Sequence, residues 1–142
     1  MRNLIWVLIG LTLVLAGTWF FKVPILIFEV PEAYRGWLVI DVERPDCPPV
    51  DRDGRTITMR FDAQGRLCIR DSLPSGFVKR KYFLVSPSSK KQIFWKDDDT
   101  SMIWGETGVG EQTFKGTTAR RRFMSFFVGT KEEFEKAPLR LD

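Results

Sequence analysis

Apolar residues that recur at every second position restrict this fold more than any other feature. In "WLVIDVE", Leu38, Ile40 and Val42 fall on one side and Asp41 and Glu43 on the other; "RTITMRF" sets Ile57, Met59 and Phe61 against Thr56, Thr58 and Arg60. Successive side chains of a strand point to opposite faces, so this pattern builds sheets with one buried face. "VPILIFEVP", bounded by Pro24 and Pro31, suits an extended segment or first strand, and "RLCIR", "KRKYFLV", "QIFW" and "RFMSFFV" read as further strands. The last is apolar on both faces, as inside a two-layer fold. "DRDG", "LPSG", "SPSSKK" and "WKDDDT" mark turns. Only "GTKEEFEKAP" reads as helix, with Thr130 as N-cap, Glu133 completing a capping box and Pro138 as terminator. The expectation is an all-β domain, a two-sheet β-sandwich of transthyretin or immunoglobulin-like size, with a short C-terminal helix and one transmembrane helix before it.

That preceding helix is expected at Leu4 to Phe21, 18 residues without a charge. At 1.5 Å per residue it would span about 27 Å, close to the hydrocarbon thickness of a bilayer. Trp6 lies near one end and Trp19, Phe20, Phe21 and Lys22 form the other, where interfacial aromatics and cations sit. Arg2 and the free amine precede the run, which keeps the N-terminus inside and sends the domain out. Cleavage after Ala16 is the competing outcome, with Val14 and Ala16 as the small pair. It would leave "GTWFFKVPILIF" as an apolar tail, so a retained anchor is favoured. The chain therefore divides into an anchor or signal segment, 1–22, and an extracytoplasmic domain, 23–142. Its expected location is the bacterial inner membrane, single-pass, with the domain in the periplasm or exterior.

Composition excludes several chemistries. The 142 residues contain no histidine, which removes Ser/His/Asp and Cys/His catalysis, His-containing zinc sites and a His pH switch. Net charge is +4, but beyond Lys22 it falls to 20 basic residues against 18 acidic. That mixed surface gives no reason to expect nucleic acid. No cofactor and no metal are expected.

Cys47 in "RPDCPPV" and Cys68 in "RLCIR" are the two cysteines. Leu67 and Ile69 take the buried face, so Cys68 points outward and can meet a loop residue. Outside the cytoplasm the pair is expected to form a structural disulfide. "SSKK" sets Ser88 three residues before Lys91, a Ser-Lys spacing that needs a helix, whereas this stretch reads as a turn. In "DRDG", calcium-loop numbering puts Pro49 and Arg60 where carboxylates are required. "KDDDT" reads as a solvated loop and "GETGVGEQTFKG" as a mobile glycine-rich one. "VKRKYF" and "ARRRF" interleave cations with aromatics, so Lys79, Arg80, Lys81, Arg120, Arg121 and Arg122 are candidate contacts to an anionic partner. Solvated edge strands, which charge protects from aggregation, are the plainer reading.

Taken in order, "VPEAYRGWLVIDVERPDCPPV", "DAQGRLCIRDSLPSGFVKRKYFLV", "MIWG" and "FFVGTKEEFEK" resemble a family of small bacterial envelope proteins, domain of unknown function 6843. The resemblance runs from about Val30 to Lys136. It implies an envelope location and supports the fold. The family carries a lipoprotein signal, but this chain has Thr18 where lipoproteins have cysteine, and Asp71 where many members have Ser or Thr.

The first functional expectation is a non-enzymatic, membrane-tethered binding or structural module of the envelope, its partners the membrane and a protein or anionic envelope component. An immunity-type inhibitor of a toxin delivered to the periplasm is the second, to be tested by rescue of cells from a toxin encoded next door. The third is a carboxylate-based hydrolase using two of Asp41, Asp46, Asp51 and Asp53, which requires two of them about 5 to 10 Å apart in a cleft.

Overall fold

The computed structural model describes residues 23–113 and 120–138. The expected anchor, with Trp6, Trp19, Phe20, Phe21 and Lys22, and the candidate cleavage site at Ala16 lie outside the described residues. Among the described residues no helix is long and apolar enough to cross a membrane.

Among the described residues ten strands form two mixed sheets. In the first, β1 (Ile25–Pro31) is central, flanked in parallel by β4 (Thr56–Arg60) and β6 (Lys79–Ser86); β3 (Asp51–Asp53) and β7 (Ser89–Ile93) are antiparallel edges. In the second, β2 (Gly36–Val42) lies between parallel β5 (Arg66–Cys68) and antiparallel β10 (Arg120–Val128). The far side of β10 pairs with β8 (Ile103–Trp104) and β9 (Gly110–Thr113). The parallel pairs set this topology apart from an immunoglobulin-like domain, and they follow from long crossovers between β1, β4 and β6.

The two sheets share one core. Leu26, Phe28 and Val30 of β1, Ile57 and Met59 of β4 and Tyr82 and Leu84 of β6 meet Leu38, Ile40 and Val42 of β2 and Met124, Phe126 and Val128 of β10. Phe28 and Tyr82 stack at 4.9 Å, and Phe126 meets both edge-on at 5.1 and 5.3 Å. The alternation in "WLVIDVE" and "RTITMRF" is thus the inner face of each sheet.

The outer apolar face of β10 has a different cover. α1 (Lys131–Lys136) lays Phe134 against Phe127, Trp37 and Trp104, with centroids 5.6, 5.7 and 6.0 Å away. The Trp37 indole donates to the Ala137 carbonyl at 2.6 Å and Trp104 to Gly129 at 3.0 Å. Thr130 caps α1 as expected: its hydroxyl accepts from Glu133 N–H, and the Glu133 carboxylate accepts from Thr130 N–H at 2.7 Å.

Three local expectations need correction. "DRDG" holds the short strand β3 and its hairpin turn. "QIFW" is strand only to Ile93, after which Phe94 and Trp95 are exposed. "GETGVGEQTFKG" is not all loop, since Gly110–Thr113 pair with Phe123–Arg120 and Thr107 N–H donates to Ser125 O at 2.9 Å; residues 114–119 lie outside the described residues. The first and third are short hairpin pairings that turn composition does not announce, and in the second Ile93 is the last residue paired with β6.

Candidate functional site

Along β6 the inward positions read Leu84, Tyr82, Arg80, and along β10 Phe126, Met124, Arg122. The core alternation therefore continues past its last apolar residue into guanidinium groups at one end of the two sheets. There a cleft of about 340 Å³ opens, walled by Leu26, Val78, Met124, Arg80, Arg122 and Glu43 and edged by the 73–76 loop and Gly108–Val109. A second groove of about 350 Å³ shares Glu43 and Arg122 with it and adds Arg44, Glu111 and Arg120.

Every one of these cations meets a carboxylate. Arg122 pairs with Glu43, Arg80 Nε lies 3.0 Å from Glu106, Arg120 Nε 3.2 Å from Glu111, and Arg44 grips Asp46 with two bonds of 3.2 Å. The Tyr82 hydroxyl donates to the other Glu106 oxygen at 2.7 Å. Burial, and then this bond to an anion, push the Tyr82 phenol well above its ordinary range. Glu43 has φ 57°, the one positive φ of a non-glycine residue among the described residues. Such a conformation is held only by its surroundings, and here the Asp71 carbonyl accepts the Glu43 N–H at 3.2 Å. The Asp71 carboxylate also accepts from Val50 N–H at 2.7 Å, which ties the loop before β3 to the same segment.

The six expected anion contacts separate. Arg80, Arg120 and Arg122 converge on the cleft and groove. Lys79 and Lys81 lie on the outer face of the first sheet, exposed and without an ion pair among the described residues. Arg121 turns to the outer face of the second sheet, where its side chain is 10 % exposed and bonds both oxygens of Asp41. Of the four aspartates named for a hydrolase, Asp51 and Asp53 lie two residues apart on β3 and share one of its faces. Asp41 faces Arg121, Asp46 Arg44 and Asp51 Arg60, while Asp53 is exposed on β3. Cys47 and Cys68 form a disulfide with Cα atoms 5.7 Å apart, and Arg70 N–H fixes the loop by donating to Pro48 O at 2.9 Å. Among the described residues no group of three or more potential metal ligands occurs.

A family profile, "Family of unknown function (DUF6843)", matches residues 26–135. The chain belongs to DUF6843. No curated protein matches it. A crystal structure of a candidate lipoprotein from Bacillus anthracis is similar to this DUF6843 chain at TM-score 0.59 and 20% identity, over 82% of this chain and 79% of that one. At that identity the likeness shows a shared fold. Glu43, Glu106 and Glu111 were not legible as site residues of this DUF6843 member. The arginine partners of Glu43 and Glu106 are 79 and 26 residues away by sequence number, and that of Glu111 is 9 away.

Proposed function

We propose that this DUF6843 member is a non-enzymatic binding module of the bacterial envelope, a β-sandwich domain held outside the cytoplasmic membrane by Leu4–Phe21. The observation that carries this reading is the cleft at the open end of the sheets. Apolar walls beside Arg80 and Arg122 suit a ligand with an apolar body and an anionic group, since guanidinium presents a planar fork to carboxylate or phosphate. Glu43 and Glu106 occupy the arginines until such an anion replaces them. The description of the Bacillus anthracis neighbour as a candidate lipoprotein supports the location, with the apolar run Leu4–Phe21 as the tether here.

Membrane fractionation with mass measurement of the mature N-terminus tests the tether. Retention of an intact N-terminus in the alkali-washed membrane is expected, and a mature chain starting at Gly17 refutes it. A photo-reactive residue at Val109 tests the cleft in cells. Adducts lost in Arg122→Glu but kept in Lys136→Glu support the reading, whereas adducts indifferent to Arg122 overturn it.

A further inference from the structure

We propose that the end of the domain at which β1 begins rests on anionic phospholipid, with Phe77 in the interface and Arg55 and Lys79 against headgroup phosphates. This rests on the tethered reading above. Ile25, the first residue of the central strand, pairs with Thr56 on one side and Lys79 on the other. Its N–H donates to Arg55 O, and Lys79 N–H donates to Pro24 O, both at 2.9 Å. Two cations therefore bracket the point where the chain leads back toward the apolar run.

The reach of that connection is short. Phe21 to Ile25 is four Cα steps, at most about 14 Å when fully extended. A bilayer holding Leu4–Phe21 thus keeps this end, cleft included, at its surface.

The chemistry of the end matches that position. Phe77, in the loop that follows the cleft-lining Gly76, is 94% exposed, the most exposed large apolar side chain among the described residues. Val109, across the cleft mouth, is also exposed. Arg55 and Lys79 form no ion pair among the described residues, and neither does Asp53 beside them; Arg52, Lys81 and Lys91 are likewise without one, while Arg60, Lys90, Arg120 and Arg122 are each matched to a carboxylate. An aromatic ring set among unmatched cations is the side-chain chemistry of a membrane interface. A ligand of the cleft would accordingly be taken from that interface.

The test uses the full chain in vesicles, with an environment-sensitive fluorophore on Phe77→Cys or, as control, on Glu135→Cys of α1; both native cysteines are in the disulfide. On phosphatidylcholine containing phosphatidylglycerol, the probe at 77 is expected to shift to the blue and be quenched by lipid-borne quencher, while the probe at 135 stays in water. Arg55→Gln and Lys79→Gln should each lower the docked fraction about fivefold, as expected for one cation at an anionic surface. A chain that fails to float with the vesicles removes the tether and this proposal with it. A chain that floats with its 77 probe in water, leaving Phe77 to a protein partner, overturns the docking alone. Equal burial of the probe on pure phosphatidylcholine overturns it too.

Discussion

Gly65 shows how one position can be decided by a side chain 31 residues away. With φ +73° it lies where a Cβ would sit 2.1 Å from the Tyr34 hydroxyl, and that hydroxyl donates to Trp37 O at 2.5 Å. Gly54 has φ +56° but open space around it. Gly65→Ala is expected to cost about 3 kcal/mol or more, because ring and backbone must both shift, and Gly54→Ala about 1 kcal/mol, from the left-handed conformation alone. Chemical denaturation of the two variants compares them directly. Tyr82 carries a pH dependence of the same local kind. The folded state holds its phenol neutral above the ordinary value near pH 10, so its contribution is full below that pH and declines as pH rises through it. Stability measured across the alkaline range should fall less steeply in Tyr82→Phe.

At the scale of an element, α1 has six residues and is too short to persist without its cap and its aromatic seat. Thr130→Ala is expected to cost about 1 kcal/mol. The Thr130 N–H holds the Glu133 carboxylate below its ordinary value. That stabilisation is present above the unfolded carboxylate's value and is lost as pH falls through the lower folded one. The Thr130 amide resonance should report the fraying at acid pH, and Glu133→Gln should remove the acid dependence. The capping box was legible because both members lie within four residues. The covering of Phe127 by Phe134 was not, and the double-sided apolar pattern of "RFMSFFV" was read as core on both faces when one face is closed by a helix.

For the whole molecule, the disulfide joins the loop after β2 to β5, closing 21 residues of separation. Reduction is expected to lower stability by about 3 kcal/mol, with the entropic origin dependent on the unfolded state assumed. Denaturation with and without reductant measures it, and Cys68→Ser should match the reduced protein. The same scale governs the charged outer face of the first sheet. Glu29, 14% exposed, joins Arg60 at 2.9 Å and Lys90 at 2.6 Å, and Arg60 reaches Asp51 at 2.6 Å. These residues come from β1, β3, β4 and β7, and only β3 and β4 are adjacent in sequence.

Sequence alone determined the strands whose alternation is strict, the capped terminal helix, the disulfide and the absence of histidine chemistry. Each is written within a few residues or in the count of a residue type. It also carried the family, through the order of short motifs. Tertiary structure alone decided which strands run parallel, that Arg121 faces away from Arg120 and Arg122, and that Glu43, Glu106, Arg80 and Arg122 surround one cleft. Those outcomes depend on the pairing of segments tens of residues apart. A local pattern gives the face of a side chain within its strand but not the neighbour that face will meet.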